Sequence, residues 1–450
     1  MSQHPFSRRS FTASMLAGAS LGATGLGSSS VFAQGDALAP YKSANVDWKQ
    51  AAGQTIVVGG ANHPWSAAIL PLLPQFTELT GIKVTTDFRS ETEFVTALPI
   101  KLAGGSPTPD VFMYLAYGQG ITAGWLEPLE SYYSDKKLVD MAWYDEADIL
   151  KTAREYPVWH DKQRYAFPIT SEAQTMFYNR QLLEAKGLAV PKTFDELLIA
   201  AKAMKTSTTS GIAMRAKAAG NALFPMTGFL FSYGGHIVQN GRAVFDSPEA
   251  VAGVDMFTRL LREAGPVGVS NYDWYESLSD FMQGVSAIGC DSSNFATDIS
   301  NPTKSKVSDK TTFGLFPHLE GKPSLPNMSH WQAAINSKSG AKKAAFLFMI
   351  WATSKPTGLL TSAKGLATTR VSAWSSDGFK KAFGAQAAEA ALGNLQNANA
   401  DLARTARFHP QSPQILNALA VGMSEILTGV DKPQVALTRA AAKANAAIRT

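Results

Sequence analysis

Apolar and polar positions first fall into order at residue 55. "TIVVGGA" (55–61) is an apolar run closed by glycines, "KVTTDF" (83–88) alternates, and "DVFMYLAY" (110–117) reads as a buried strand. Helical stretches lie between them and end at Gly81 and at Gly104/Gly105. Strand and helix alternating at this spacing predict a parallel sheet with crossover helices. Such sheets bind ligands beyond the C-terminal ends of their strands. That rule selects the loops beginning "NHPW" (62–65), "RSE" (89–91) and "YGQG" (117–120).

A second unit starts near Tyr165. "AQTMFYNRQLLEAKGL" reads as a strand running into a helix. "TFDELLIAAKAMK" reads as a helix capped by Thr193, with Glu196 three residues on. "DSPEAVAGVDMFTRLLREAG" has Ser247 as cap and Pro248 in the first turn, and puts Val251, Val254, Phe257, Leu260 and Leu261 on one face. From Ala341 onward the pattern is almost wholly helical, broken at Gly365 to Asp377.

The first 33 residues follow a different logic. "SRRSFTA" (7–13) carries Arg8 and Arg9, the only charged side chains before Asp36, and is followed by an Ala/Gly-rich, mildly hydrophobic run and small residues ending at Ala33. This is the layout of a cleaved signal peptide of the twin-arginine type, which places the mature chain in the periplasm. Residues 34–450 are long enough for two lobes. The formal charge is +5, of which Arg8 and Arg9 contribute two, so no basic stripe points to nucleic acid. After the leader no run reaches the length of a membrane span. Cys290 is the only cysteine; it leaves no room for an internal disulfide, lies far from the leader and reads as a buried small residue.

Other motifs carry little. "GASLG" (18–22) fits the pattern of a nucleophile elbow but falls in the leader. "GQGITAG" (118–124) resembles a dinucleotide-binding turn, yet no strand with a terminal acid follows at the required distance. The seven histidines are dispersed, without metal-ligand spacing. We therefore expect no cofactor, no metal and no catalytic chemistry; an exported NAD(P)-linked or glycoside-acting enzyme is the alternative.

"RYAFPITSEAQTMFYNRQLLEAKGLAVPKTFDEL" (164–197) resembles the extracellular solute-binding proteins of sugar-type ABC importers, through Pro168, Glu172, Tyr178, Asn179, Arg180, Pro191, Thr193, Phe194 and Glu196. The resemblance extends to "GIKV", "PDV", "GWLEPL", "FDSPEAVAGVDMF", "FMQGVSAIG", "FLFMIWATS" and "TTR". "EAGPVGVSNYDW", "GCDSSNF", "HWQAAI" and "TTRVSAW" are most similar to binders of polyols and small saccharides, although Ser329-His330 stands where a Gly often precedes the equivalent of Trp331.

The resemblance implies an α/β fold of two lobes, each a mixed sheet flanked by helices, closing on a solute as a Venus flytrap does. It implies a first lobe at 34–168, a second at 169–288, a return to the first at 289–335 and a helical remainder of the second at 336–450. Crossings are expected near Phe167 to Glu172, Ala287 to Asp291 and Ala333 to Ser337. A monomer delivering a carbohydrate-like solute to an ABC permease is the implied role.

Such a solute needs donors and acceptors for its hydroxyls and a flat apolar partner for its C–H face. The candidate loops supply Trp65, Glu91, Tyr117, Glu172, Trp274, Asp291, Asn294, Trp331 and Arg370. Family position favours Glu172, Asp291, Trp331 and Arg370. Trp331 also fits a core role, Glu91 a helix start, Glu172 a surface charge and Arg370 a salt bridge.

Overall fold

In chain order the strands are β1 (Thr55–Ala61), β2 (Lys83–Arg89), β3 (Val111–Tyr114), β4 (Phe167–Pro168), β5 (Glu172–Asn179) and β6 (Ser210–Ile212). They continue with β7 (Val238–Gln239), β8 (Arg242–Ala243), β9 (Ser286–Ser292), β10 (Thr311–Gly314), β11 (Met328–Ser329) and β12 (Gln332–Ile335). These come from a computed structural model that describes residues 36–449. The leader, its cleavage position at Ala33 and the "GASLG" match lie outside the described residues.

The first sheet has the order β2-β1-β3-β12-β4. β1 pairs in parallel with β2 and β3, as the alternation of strands and helices predicts. β12 is antiparallel to β3 and β4, which makes the sheet mixed, because this strand arrives from the far lobe in the opposite direction. Behind the sheet lies the helix Lys342–Thr353, with ten consecutive buried residues from Ala344. A helix apolar on every side has no face to give to water and becomes a core element. Its Phe346, Phe348 and Trp351 meet Phe167, Phe76 and Tyr132 in ring contacts.

The second sheet has the order β10-β5-β9-β6, with β11 paired to β5. All eight residues of β5 and all seven of β9 are buried. The helices Phe194–Met204 and Pro248–Ala264 begin at the expected caps, where the Thr193 and Ser247 hydroxyls accept the Glu196 and Ala250 N–H groups. Phe194, Phe229, Phe257 and Phe316 form the aromatic centre of this lobe.

Three crossings join the lobes, and two lie elsewhere than expected. The first runs through residues 169–171, between β4 and β5. β9, which contains the second expected position, pairs throughout with β5 and β6 and stays in the second lobe. The chain passes back at His330 and Trp331, between β11 and β12, so of the expected return segment 289–335 only the end enters the first sheet. The third crossing follows Leu366, which belongs to the first core, while Ala367 belongs to a core of the second lobe. The crossings are tied together: the Ile169 N–H donates to the Trp331 carbonyl at 2.8 Å, and the Ser171 N–H to the Ala367 carbonyl at 3.0 Å.

Candidate functional site

β1 ends at Ala61, and the helix Pro64–Ile69 begins directly beyond it with His63 as N-cap. His63 Nδ1 accepts the Trp65 N–H at 3.2 Å, which leaves the proton on Nε2, 3.1 Å from Glu172 Oε1. The first lobe thus reaches the start of β5 through one buried imidazole. The Ser292 hydroxyl donates to Glu172 Oε2 at 2.6 Å, and the Thr170 hydroxyl to Oε1 at 3.2 Å. Burial alone would raise the Glu172 pKa; the hydrogen bonds from His63 and Ser292 and the Arg215 charge outweigh it and hold the carboxyl below its ordinary value.

Around Glu172 lies a narrow cleft between the lobes, with about 40 Å³ of free volume. His63, Pro64, Glu91, Leu115 and Trp331 line it from the first lobe and the crossing, Arg215, Phe224, Trp274, Ser292, Asn294, Phe295 and Ser329 from the second, and Arg407 from the turn before the helix Ser412–Leu427. At the rim the Thr92 hydroxyl donates to Asp273 at 3.1 Å and the Tyr275 hydroxyl to the Asn62 carbonyl at 3.4 Å, so both lobes touch across the opening.

Arg215 and Asp291 form a buried ion pair: Nε lies 2.9 Å from Oδ2 and 3.2 Å from Oδ1, and the terminal nitrogen is also in contact with Oδ1. Burial opposes the Arg215 charge, but Asp291 more than compensates and raises its pKa. The pair directs the guanidinium into the cleft. Glu91 sits at the first position of the helix Glu91–Ala103; the reciprocal cap of that helix is made by Ser90 and Glu93, which leaves Glu91 to the cleft. Burial raises the Glu91 pKa, offset in part by Arg215 and His63.

Two groups in the cleft have unused hydrogen-bonding capacity. Asn294 is buried with neither its amide oxygen nor its amide nitrogen paired, and the Trp274 indole N–H is likewise unpaired among the described residues. Trp331 is 5% exposed and stands beside His63 with ring centroids 5.5 Å apart.

Five of the nine expected residues, Glu91, Glu172, Trp274, Asn294 and Trp331, therefore line one cleft. Asp291 stands one layer behind, holding Arg215. Three lie elsewhere. Trp65 turns into the first core against Phe88, because the helix beginning at Pro64 points it inward and leaves His63 at the strand end. Tyr117 is wholly buried and stacks on Phe408, while Leu115 takes the cleft position after β3. Arg370 is 1% exposed: its guanidinium donates to the carbonyls of Thr353, Tyr144 and Asp145 and packs over the Tyr144 ring, so it braces the third crossing.

His63, Arg215 and Arg407 were not among the expected residues. Arg215 follows the end of β6, so the strand-end rule would have found it had "GIAMRAK" been read as strand and loop. Arg407 has no local signal. Its position depends on Gly118, whose N–H donates to the Arg407 carbonyl at 3.0 Å and where a Cβ would lie 2.3 Å from the Phe408 carbonyl oxygen.

A hinged pair of α/β lobes around a polar cleft with aromatic walls defines a solute-capturing protein. Residues 59–358 match the family described as bacterial extracellular solute-binding protein, and the chain belongs to that family. It is 30% identical to the erythritol/L-threitol-binding protein of Mycolicibacterium smegmatis over 78% of each chain. It is 29% identical to the mannitol-binding protein of Pseudomonas aeruginosa, over 56% of this chain and 58% of that one. An ABC transporter solute-binding protein of Agrobacterium radiobacter, solved with ribitol, has the same fold with a TM-score of 0.80 at 24% identity, over 88% of this chain and 99% of that one. Among the described residues no helix is long and apolar enough to cross a membrane.

Proposed function

We propose that this solute-binding protein captures a polyol or small sugar between its lobes and presents it to the permease of an ABC importer. On this reading residues 1–33 are a twin-arginine-type leader and the mature chain works in the periplasm as a monomer. The unpaired Asn294 amide carries the proposal. Beside Glu172, Ser292 and the Trp274 indole it asks for a partner with several groups that both donate and accept, which is what adjacent hydroxyls offer. Trp331 supplies the apolar face for the C–H groups. The names of the relatives point the same way. The lobes exchange between open and closed arrangements, and the solute favours the closed one by touching both.

A thermal-shift screen of residues 34–450 against erythritol, ribitol, D-mannitol, monosaccharides and NAD(P) tests this. A solute at about 100 times its Kd is expected to stabilise the protein by about 2.7 kcal/mol, read as a rise in Tm. By calorimetry Asn294→Ala is expected to weaken that solute about tenfold. Trp331→Ala is expected to cost about 30-fold, with most of the affinity kept by Trp331→Phe. A shift with NAD(P) alone, or none with any hydroxylated solute, would overturn the reading.

A further inference from the structure

Arg407 stands where the polar cleft opens into a second chamber. This chamber, about 400 Å³, lies between the helix Glu91–Ala103 and the helix Ser412–Leu427 and shares Glu91, Leu115, Trp331 and Arg407 with the cleft. Phe94, Leu98, Met113 and Leu416 make most of its wall apolar.

Three other arginines that turn inward are engaged. Arg215 holds Asp291, Arg164 holds Glu130 and Glu146, and Arg370 donates to carbonyl groups. The Arg407 side chain has no hydrogen bond and no ion pair among the described residues. Burial lowers its pKa, and the nearby Tyr156 and Glu91 offset this only in part. A partly buried cation without a partner is costly unless something else supplies the negative charge.

A second observation lies on the facing element. Ser412, the first residue of the 16-residue helix Ser412–Leu427, is wholly buried and lines the chamber, and its hydroxyl is unpaired among the described residues. The N-cap of that helix, Gln411, makes no side-chain cap, and the positive end of the helix dipole lies near the same place.

We propose that the solute carries a carboxylate, held by Arg407 and Ser412 where the cleft meets the chamber; its hydroxyls then lie toward Glu172 and Asn294. This rests on the polyol or sugar reading and narrows it to sugar acids. One carboxylate matches the planar fork of one guanidinium. A phosphate dianion is disfavoured, because Glu172 lines the same cleft as a carboxylate held below its ordinary pKa.

Calorimetry with matched pairs decides the matter: ribitol with D-ribonate, D-mannitol with D-mannonate, and D-mannitol 1-phosphate as a third arm. The expected result is that one aldonate binds at least about tenfold tighter than its alditol. Arg407→Met then weakens the aldonate at least about tenfold more than the alditol, and Arg407→Lys restores part of the difference. If Arg407→Met does not give a cooperative unfolding transition, Ser412→Ala and the comparison within the wild type stand in its place. An alditol that binds as tightly as its acid, a phosphate that binds tighter than the carboxylate, or equal losses on both ligands would overturn the proposal and leave the polyol reading intact. Absence of binding by every member of the panel would overturn both.

Discussion

Replacing Arg215 with Met is expected to lower the unfolding free energy by about 3–5 kcal/mol, because it leaves the Asp291 carboxylate buried without its counter-ion. Asp291 is 1% exposed, and beyond Arg215 its Oδ1 accepts the Ser292 N–H at 2.6 Å. One amide cannot replace a guanidinium as compensation for a charge taken out of water. Urea unfolding followed by tryptophan fluorescence, with linear extrapolation to water, measures the loss. The double substitution Arg215→Met with Asp291→Leu is expected to recover much of it, since two apolar groups of similar size leave no charge behind. Recovery of stability without recovery of solute binding would separate the two roles of Arg215, as a partner for Asp291 and as a wall of the cleft. A single-substitution loss below about 1 kcal/mol would show that Asp291 is compensated by other means.

The second large effect follows pH. His330 is wholly buried at the second crossing, where Nδ1 lies 3.2 Å from both the Thr170 carbonyl oxygen and the Ser171 hydroxyl, and Nε2 lies 3.1 Å from the Thr152 hydroxyl. Burial pushes its pKa down to about 4 from an ordinary 6.5, against the opposing pull of the Thr170 carbonyl and the Glu172 charge. Between these two values the unfolded chain binds a proton that the native protein excludes. Stability from this group is therefore complete above about pH 6.5, falls as the pH drops, and has lost about 3 kcal/mol by pH 4. Chemical unfolding at intervals from pH 7 to pH 4 should give a steeper decline for the wild type than for His330→Gln. Parallel curves would refute the assignment. Glu172, whose pKa is lowered, adds its own loss only below its ordinary range, so the two windows can be told apart.

The contrast between His63 and Trp65 shows what the chain pattern contains. The run "TIVVGGA" closed by glycines places a strand and a loop, and the strand-end rule places that loop at the ligand side. Which of four successive side chains faces the cleft depends on where the next helix begins, and it begins at Pro64, so the aromatic ring goes inward and the cap residue outward. Glu91 shows the reverse case. There the sequence left a choice between a helix start and a site residue; Glu91 is the first residue of its helix and also lines the cleft, because Ser90 and Glu93 make the cap.

Arg370 and Arg407 mark the other limit. Both are arginines in the irregular or helical last third, and no local pattern distinguishes one from the other. The structure gives Arg370 three carbonyl groups at the crossing and leaves Arg407 facing the cleft, a difference set by segments more than 200 residues away in the chain, such as Tyr144 against Arg370. Sequence by itself determined the local periods, the helix caps, the number of lobes and, through the resemblance, the family. These depend on neighbours a few residues apart or on long shared patterns. Only the tertiary structure decided where the chain crosses between lobes and which polar groups lack partners. Those follow from long-range strand pairing and burial, which place Glu172 beside His63 and leave the Asn294 amide open to the cleft.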